Sequence, residues 1–318
     1  MSSVAVIGAG AWGTALAIQA ERAGNRVTLW ARDPARAAAV AGSRENPRLP
    51  GARLPEAITV GSVLPVEADA ILLAVPMQFV RAMLPPLPTA PLVICAKGLE
   101  TGTLRLPLEI AAEVRPDLHA AILTGPNFAH EIGAGLPAAS VVASGDPALR
   151  ETIAGLLGTA SFRLYGNDDP IGAQVGAAAK NVIAIAAGAV IGAGLGENAR
   201  AALITRGLAE LARLATALGG RAETVMGLSG LGDLLLTCTG PASRNYSLGV
   251  ALGRGERLGD VLAARSSVTE GVAAATALVA RAQGVDMPIC AAVASLLAGR
   301  TTLAEAMASL LARPRRDE

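Results

Sequence analysis

The sequence predicts an α/β chain in two parts: a Rossmann-like, doubly wound parallel sheet over residues 1–170, then an all-α domain over 171–318. Three observations carry this. The β-branched run Val4-Ala5-Val6-Ile7 leads at once into Gly8-Ala9-Gly10-Ala11-Trp12-Gly13 and a helical stretch. The alternation of apolar run, Gly/Pro loop and helical pattern then repeats as far as Ser144, as a parallel sheet with crossover helices requires. Beyond about residue 170 strand signals give way to alanine-rich helical patterns.

Taken in order, Thr14 to Ala23 reads as a helix, ended by the C′ signal Gly24-Asn25. Arg26 to Trp30 is the next strand and closes a βαβ unit of about 30 residues. Residues 31–65 are polar, and Pro47, Pro50 and Pro55 break any pattern there. Ala70 to Val75 ends at Pro76, as a buried parallel strand would. Leu92 to Ala96 ends at Lys97-Gly98, and Ala120 to Leu123 ends at Thr124-Gly125-Pro126-Asn127. Ser140 to Ser144 is a further strand. Helices are expected over 172–192, 197–218, 246–253, 258–264, 269–283, 289–298 and 302–312.

A chain of 318 residues accommodates two domains. Lys and Arg number 27 against 26 Asp and Glu, so no strong basic field exists for nucleic acid. Apolar residues reach 52% while aromatics are 2%, which suits helices and buried strands built from Ala, Val, Leu and Ile. The mean hydropathy is positive, which raises a membrane reading. The apolar run between Lys180 and Glu197 is 16 residues with five alanines and four glycines, whereas a spanning helix needs roughly 20 strongly apolar residues, so no membrane span is expected. The N-terminus carries no basic region before a cleavage site. Cys95, Cys238 and Cys290 are odd in number and far apart, which excludes a full disulfide framework and a CxxC metal site. A reduced, cytoplasmic setting follows. Without clustered His, Cys or carboxylates, no catalytic metal is expected.

Gly8, Gly10 and Gly13 form a GxGxxG loop between strand and helix, the context that gives this motif meaning. Gly8 makes the turn, Gly10 lets a pyrophosphate approach, and Gly13 lets helix and strand pack; the helix N-terminus adds N–H groups. The bland alternative is a ligand-free strand–helix turn. After the second strand, an NAD-specific fold places an acid for the ribose 2′-OH. Here Trp30 is followed by Ala31 and Arg32, and Asp33 comes late. Arg32 is either a partner for a 2′-phosphate, which favours NADPH, or a solvated loop residue.

Lys97 and the Gly125-Pro126-Asn127-Phe128 turn end two strands on the ligand-binding edge of such a sheet. Lys97 can equally be an ordinary exposed lysine. Lys180 is the only charge between Asp169 and Glu197. On so small and apolar a helix a lysine is costly to bury without purpose, and desolvation moves its amine toward the range useful for proton transfer. Its alternative is a snorkelling lysine. Between Gly227 and Asn245, Asp233 stands among glycines, and Ser243, Arg244 and Asn245 follow in a row. Arg offers a fork of donors for phosphate or carboxylate, and its neighbours add neutral hydrogen bonds. His119 reads as a surface residue, His130 as a loop or helix residue near the cleft.

Eight segments in register resemble the bacterial-type NAD(P)-dependent sn-glycerol-3-phosphate dehydrogenases. They are VIGAGAWGTA (6–15), AKGLE (96–100), GPNFAHE (125–131), GAAAKNVIAIAAG (176–188), NARAALITRGLAE (198–210), GLGDLLLTCT (230–239), SRN (243–245) and VTEG (268–271). The resemblance implies reversible reduction of dihydroxyacetone phosphate to sn-glycerol 3-phosphate with NADP(H) or NAD(H), feeding phospholipid synthesis. It implies Lys180 as proton donor and acceptor. It implies substrate contacts from Lys97, Gly125, Asn127, Asp233, Ser243, Arg244 and Asn245. Cofactor contacts would come from Trp12, Arg32, Lys97, Ala129, Arg244, Val268 and Glu270 beside the glycine loop. Two positions depart from the pattern. Ala11 stands where many relatives carry a serine, which removes one hydrogen bond to the pyrophosphate. Asn127 replaces a Ser or Thr and has a different reach.

In this reading Lys180 polarises the carbonyl and protonates the alkoxide, Asp233 orients either Lys180 or a substrate hydroxyl, and Asn181 either assists or binds backbone. Two competitors are a sister 3-hydroxyacid or 6-phosphogluconate-type dehydrogenase, and a non-catalytic NADP(H) sensor. The GLGD and SRN segments disfavour the first; the Lys180, Asp233 and Arg244 set disfavours the second. A homodimer suits the Ala/Gly-rich helices.

Overall fold

Short β-branched runs become one eight-stranded sheet in the computed structural model, which describes residues 1–265 and 270–314. The strands are β1 (Ser3–Ile7), β2 (Arg26–Trp30), β3 (Thr59–Gly61), β4 (Ala70–Leu73), β5 (Leu92–Ile94), β6 (Ala120–Thr124), β7 (Ala138–Ala143) and β8 (Phe162–Asn167). Their order is β3-β2-β1-β4-β5-β6-β7-β8, so the chain reverses direction across the sheet between β1 and β4. In open α/β sheets that switch point is where ligands bind, outside the carboxyl ends of the strands. The helices of this unit are α1 (Ala11–Arg22), α2 (Pro34–Ser43), α3 (Val80–Met83), α4 (Pro107–Val114), α5 (Ala129–Ala134) and α6 (Pro147–Leu157).

The sheet is parallel-dominated, with one departure: β7 pairs antiparallel with β6, Leu123 opposite Val142. Two edge strands escape a reading by pattern. β3 has three residues inside the proline-broken stretch, and β8 is largely solvent-facing, so neither shows a continuous apolar run. The central strands do: Ala70 to Leu73 are all buried. Val4, Val6, Leu16, Leu29, Leu72, Val93, Leu123 and Phe162 lie in one buried cluster. Each such side chain contributes about 1.5–3 kcal/mol by leaving water.

Contacts divide the chain into two compact units: Met1–Glu100 with Arg105–Gln174, and Thr101–Leu104 with Val175–Glu318. The second is helical: α7 (Pro170–Gly192) from Val175 onward, α8 (Gly196–Ala217), α9 (Ala222–Val225), a π-turn at Leu228–Gly232, α10 (Asp233–Thr239), α11 (Arg244–Gly253), α12 (Leu258–Ala263), α13 (Glu270–Arg281), α14 (Pro288–Leu297) and α15 (Leu303–Leu311).

Helix α7 is long and apolar enough to cross a membrane, yet 83% of its most apolar window is buried inside the protein. Its small residues have a different use. A Cβ on Gly188 would sit 2.0 Å from the Tyr246 carbonyl oxygen, and one on Gly249 would sit 2.0 Å from that of Ile185. Helices α7 and α11 thus cross with backbones in contact. Glu210 of α8 performs the work of a cap: its carboxylate accepts from the N–H groups of Ile289 (2.6 Å) and Cys290 (3.1 Å) at the start of α14.

Candidate active site

The loop after β1 is shaped for close approach. Gly8 has φ +118°, and a Cβ there would lie 2.7 Å from the Ala74 carbonyl oxygen. A Cβ on Gly13 would lie 1.9 Å from the Gly8 oxygen, so helix α1 packs on the turn only because Gly13 lacks one. Gly10 meets nothing within 4 Å, which leaves the loop open on that side. α1 begins at Ala11 with Gly10 as its N-cap and no side-chain cap, so its first N–H groups are available to an anion. The indole Nε1 of Trp12 is buried with no hydrogen-bond partner among the described residues. These features fit a dinucleotide pyrophosphate: a turn free of Cβ, a helix N-terminus and an orphaned donor.

Asp33 is the N-cap of α2, its carboxylate accepting from Ala35 N at 3.0 Å. The one acid near the end of β2 is thereby engaged with backbone. Arg32 is exposed, and its guanidinium carbon lies 5.7 Å from the centroid of the Phe79 ring, which is 48% exposed. Sequence reasoning passed over Phe79. Its signal was an aromatic in a chain with three Phe, placed just after a strand terminus.

Lys97, half-buried after β5, donates to the Gly125 carbonyl at 3.2 Å. Gly125 has φ +137°, which turns the chain after β6. Asn127 donates through Nδ2 to Ser140 Oγ at 2.5 Å, and its Oδ1 is buried without a partner among the described residues. Ala129 opens α5. His119 is exposed with Asp146 at 3.2 Å, and His130 stacks on Phe128.

In the helical unit Lys180 donates to Asp233 Oδ1, their side chains 9% and 2% exposed. The π-turn delivers Asp233 to this spot as the first residue of α10; such turns interrupt the helical register and recur at functional sites. The buried ammonium of Lys180 thus has an opposite charge at hydrogen-bond distance. Thr237 Oγ1 donates to the Asp233 backbone oxygen at 2.5 Å. Burial pushes the neighbouring Cys238 thiol up to about 12, and Cys95 likewise, so neither offers a thiolate near neutral pH.

Asn181 and Asn245 are also brought together, Nδ2 of Asn245 donating to Asn181 Oδ1 at 2.9 Å. The Oδ1 of Asn245 accepts from Gly271 N at 3.0 Å. Asn245 therefore ties α7, α11 and α13. Ser243 is the N-cap of α11, accepting from Tyr246 N at 3.2 Å, with Arg244 exposed as the first helical residue. Arg265 was missed by sequence reasoning. It donates to the Arg244 carbonyl at 2.7 Å, and burial followed by the charge of Arg244 holds its guanidinium below the ordinary arginine value. Two guanidiniums thus adjoin the N-terminus of α11. Val268 lies outside the described residues, and Glu270 begins α13.

Residues 3–150 match the N-terminal domain of NAD-dependent glycerol-3-phosphate dehydrogenase, and residues 169–308 match its C-terminal domain. The chain belongs to the NAD-dependent glycerol-3-phosphate dehydrogenase family. Among its relatives, a glycerol-3-phosphate dehydrogenase [NAD(P)+] of Acidiphilium cryptum is 58% identical, covering 99% of this chain and 98% of that protein. That of Gluconobacter oxydans is 51% identical, covering 98% and 97%. The crystal structure of glycerol-3-phosphate dehydrogenase from Coxiella burnetii superposes with a TM-score of 0.93 at 36% identity, covering 98% of this chain and 99% of that one. As a member of this dehydrogenase family the chain is an NAD(P)-dependent oxidoreductase with a Rossmann-like N-terminal domain and a helical C-terminal domain.

Proposed function

We propose that this dehydrogenase reversibly reduces dihydroxyacetone phosphate to sn-glycerol 3-phosphate, with Lys180 as the proton donor. The observation that carries this reading is the buried Lys180–Asp233 pair. A buried ion pair is a poor stabiliser, since the desolvation of two charges offsets most of their attraction. A general acid that must remain an ammonium in an apolar helix needs such a partner.

Bound nicotinamide supplies a hydride. Lys180 gives its proton to the carbonyl oxygen as that oxygen gains negative charge, and in the reverse direction takes it back. Asp233 gives Lys180 an opposite charge and fixes its direction. Asn181, held by Asn245, is a neutral donor one residue from the lysine. Ser243 and Arg244 at the start of α11, with Arg265 beside them, are suited to a phosphate monoester. Lys97, Gly125 and Asn127 are assigned to substrate contact, and Asn127 Oδ1 is suited to accept from a substrate hydroxyl. Gly8, Gly10, Ala11, Trp12 and Gly13 would hold the pyrophosphate, with Ala129, Val268 and Glu270 as further nucleotide contacts. Arg32 and Phe79 would hold the adenosine end, the guanidinium on a 2′-phosphate. Engagement of Asp33 in its cap supports a preference for NADPH. We further propose a cytoplasmic enzyme serving glycerophospholipid synthesis, acting as a homodimer.

The test is loss of NADPH absorbance, then of NADH, with purified protein and dihydroxyacetone phosphate. Rapid oxidation of NADPH is expected, with dihydroxyacetone and 3-oxoacids inert. Tight NADPH binding without oxidation would overturn the substrate.

A further inference from the structure

Two side chains from outside the glycine motif converge on one of its carbonyls. Arg36 of α2 donates through Nη2 to the Ala9 oxygen at 2.6 Å. Asn46, in the loop after α2, donates through Nδ2 to the same oxygen at 3.2 Å and to Thr14 Oγ1 at 2.6 Å. The Oδ1 of Asn46 accepts from Arg36 Nη2 and from Arg48 N, both at 3.1 Å. Asn46 is 1% exposed, Thr14 0% and Ala9 6%. A cavity of about 680 Å³ lies along this segment and is lined by Arg36, Asn46 and Arg48 among others.

We propose that Arg36 and Asn46 are positioning residues for nucleotide binding: they hold the Ala9 carbonyl so that the Gly10 N–H is aimed at, and strengthened for, the dinucleotide pyrophosphate. The peptide between Ala9 and Gly10 is planar and trans, so its C=O and N–H point in opposite directions. Fixing the carbonyl on one side fixes the donor on the other. Hydrogen bonding from a guanidinium polarises the peptide and makes that N–H a better donor to an anion. The clamp also keeps the partial negative charge of the carbonyl turned away from the phosphate. Thr14, in the first turn of α1, links the same network to the helix whose N-terminus faces the anion. Arg36 and Asn46 touch neither the reacting atoms nor the nucleotide in this scheme; they act through the loop.

This rests on the nucleotide reading above, and the test separates the two. Binding of NADPH and of adenosine 2′-phosphate, which lacks the pyrophosphate, would be titrated with native protein, Arg36→Gln, Arg36→Lys and Asn46→Ser. Arg36→Gln is expected to weaken NADPH about tenfold, the worth of one charge-assisted hydrogen bond. Adenosine 2′-phosphate should bind as before, and Arg36→Lys should recover part of the loss. At saturating NADPH the KM for dihydroxyacetone phosphate should not move. NADPH affinity within about twofold of native in both Arg36→Gln and Asn46→Ser would overturn the clamp. So would equal weakening of both ligands, the mark of a merely structural role. Failure of the native protein to bind NADPH would overturn the nucleotide reading itself and the clamp with it. Should Arg36→Gln fail to fold, Asn46→Ser carries the same comparison.

Discussion

Asn245 holds Asn181: the amide nitrogen of the first lies 2.9 Å from the amide oxygen of the second, and both are buried. The bond joins the helix that carries Lys180 to the helix that begins at Arg244. Asn245→Ala would leave Asn181 unoriented and the Gly271 N–H without its acceptor. Such orphaned groups cost about 1–3 kcal/mol. A urea denaturation series should show that loss, and turnover should fall more than NADPH affinity does.

The crossing of α7 and α11 depends on Gly249, where a Cβ would meet the Ile185 carbonyl oxygen at 2.0 Å. Gly249→Ala must push the helices apart and should cost at least about 1–3 kcal/mol, as overpacking does. Gly42 is the control. It lies near the end of α2, where an added Cβ would meet nothing within 4 Å, so Gly42→Ala should stabilise by about 0.5–1 kcal/mol. Opposite signs of the two shifts are expected in the same denaturation assay.

Acid stability should depend on Asp117. The Arg115 guanidinium lowers its carboxyl from 3.8 to about 2. A lowered acid contributes stability that is present above its unfolded value and lost as pH falls through the folded one. The fall should therefore run from just below pH 3.8 toward about pH 2, and Asp117→Asn should flatten it. Glu210 has the opposite sign, because burial raises its carboxyl above 4.5. Its contribution is complete below 4.5 and declines as pH rises through the raised value, so it adds nothing to the acid limb.

Arg32 grades the cofactor. Arg32→Ala should weaken NADPH about tenfold and leave NADH nearly unchanged, since only the 2′-phosphate would lose a charged partner. Equal loss of both nucleotides in a fluorescence titration would assign Arg32 to packing against Phe79 instead.

Much of this was legible in the sequence because it is local. Gly8, Gly10 and Gly13 sit at fixed spacing between a strand and a helix, and Lys180 stands alone in an apolar run. The helical unit shows the 3.6-residue pattern clearly, so its long helices were readable to within a few residues. What was not legible joins residues distant in sequence. Arg36 and Asn46 reach Ala9 across 27 and 37 residues, and nothing in their neighbourhood marks them. Asp33 looked like a misplaced ribose ligand; only its bond to Ala35 N identifies a cap. β8 faces solvent along most of its length, which erased the apolar run that reveals a strand. The run length of α7 already spoke against a membrane span, but the use of its small residues is seen only in the Gly188 and Gly249 contacts.

The most direct measurement compares native protein with Lys180→Met in two assays, NADPH affinity and turnover of dihydroxyacetone phosphate. Met fills the volume without a proton to give. Turnover should fall by at least about a hundredfold while NADPH affinity stays within about threefold. Turnover within a few-fold of native, at unchanged NADPH affinity, would contradict the assignment of Lys180 as the proton donor.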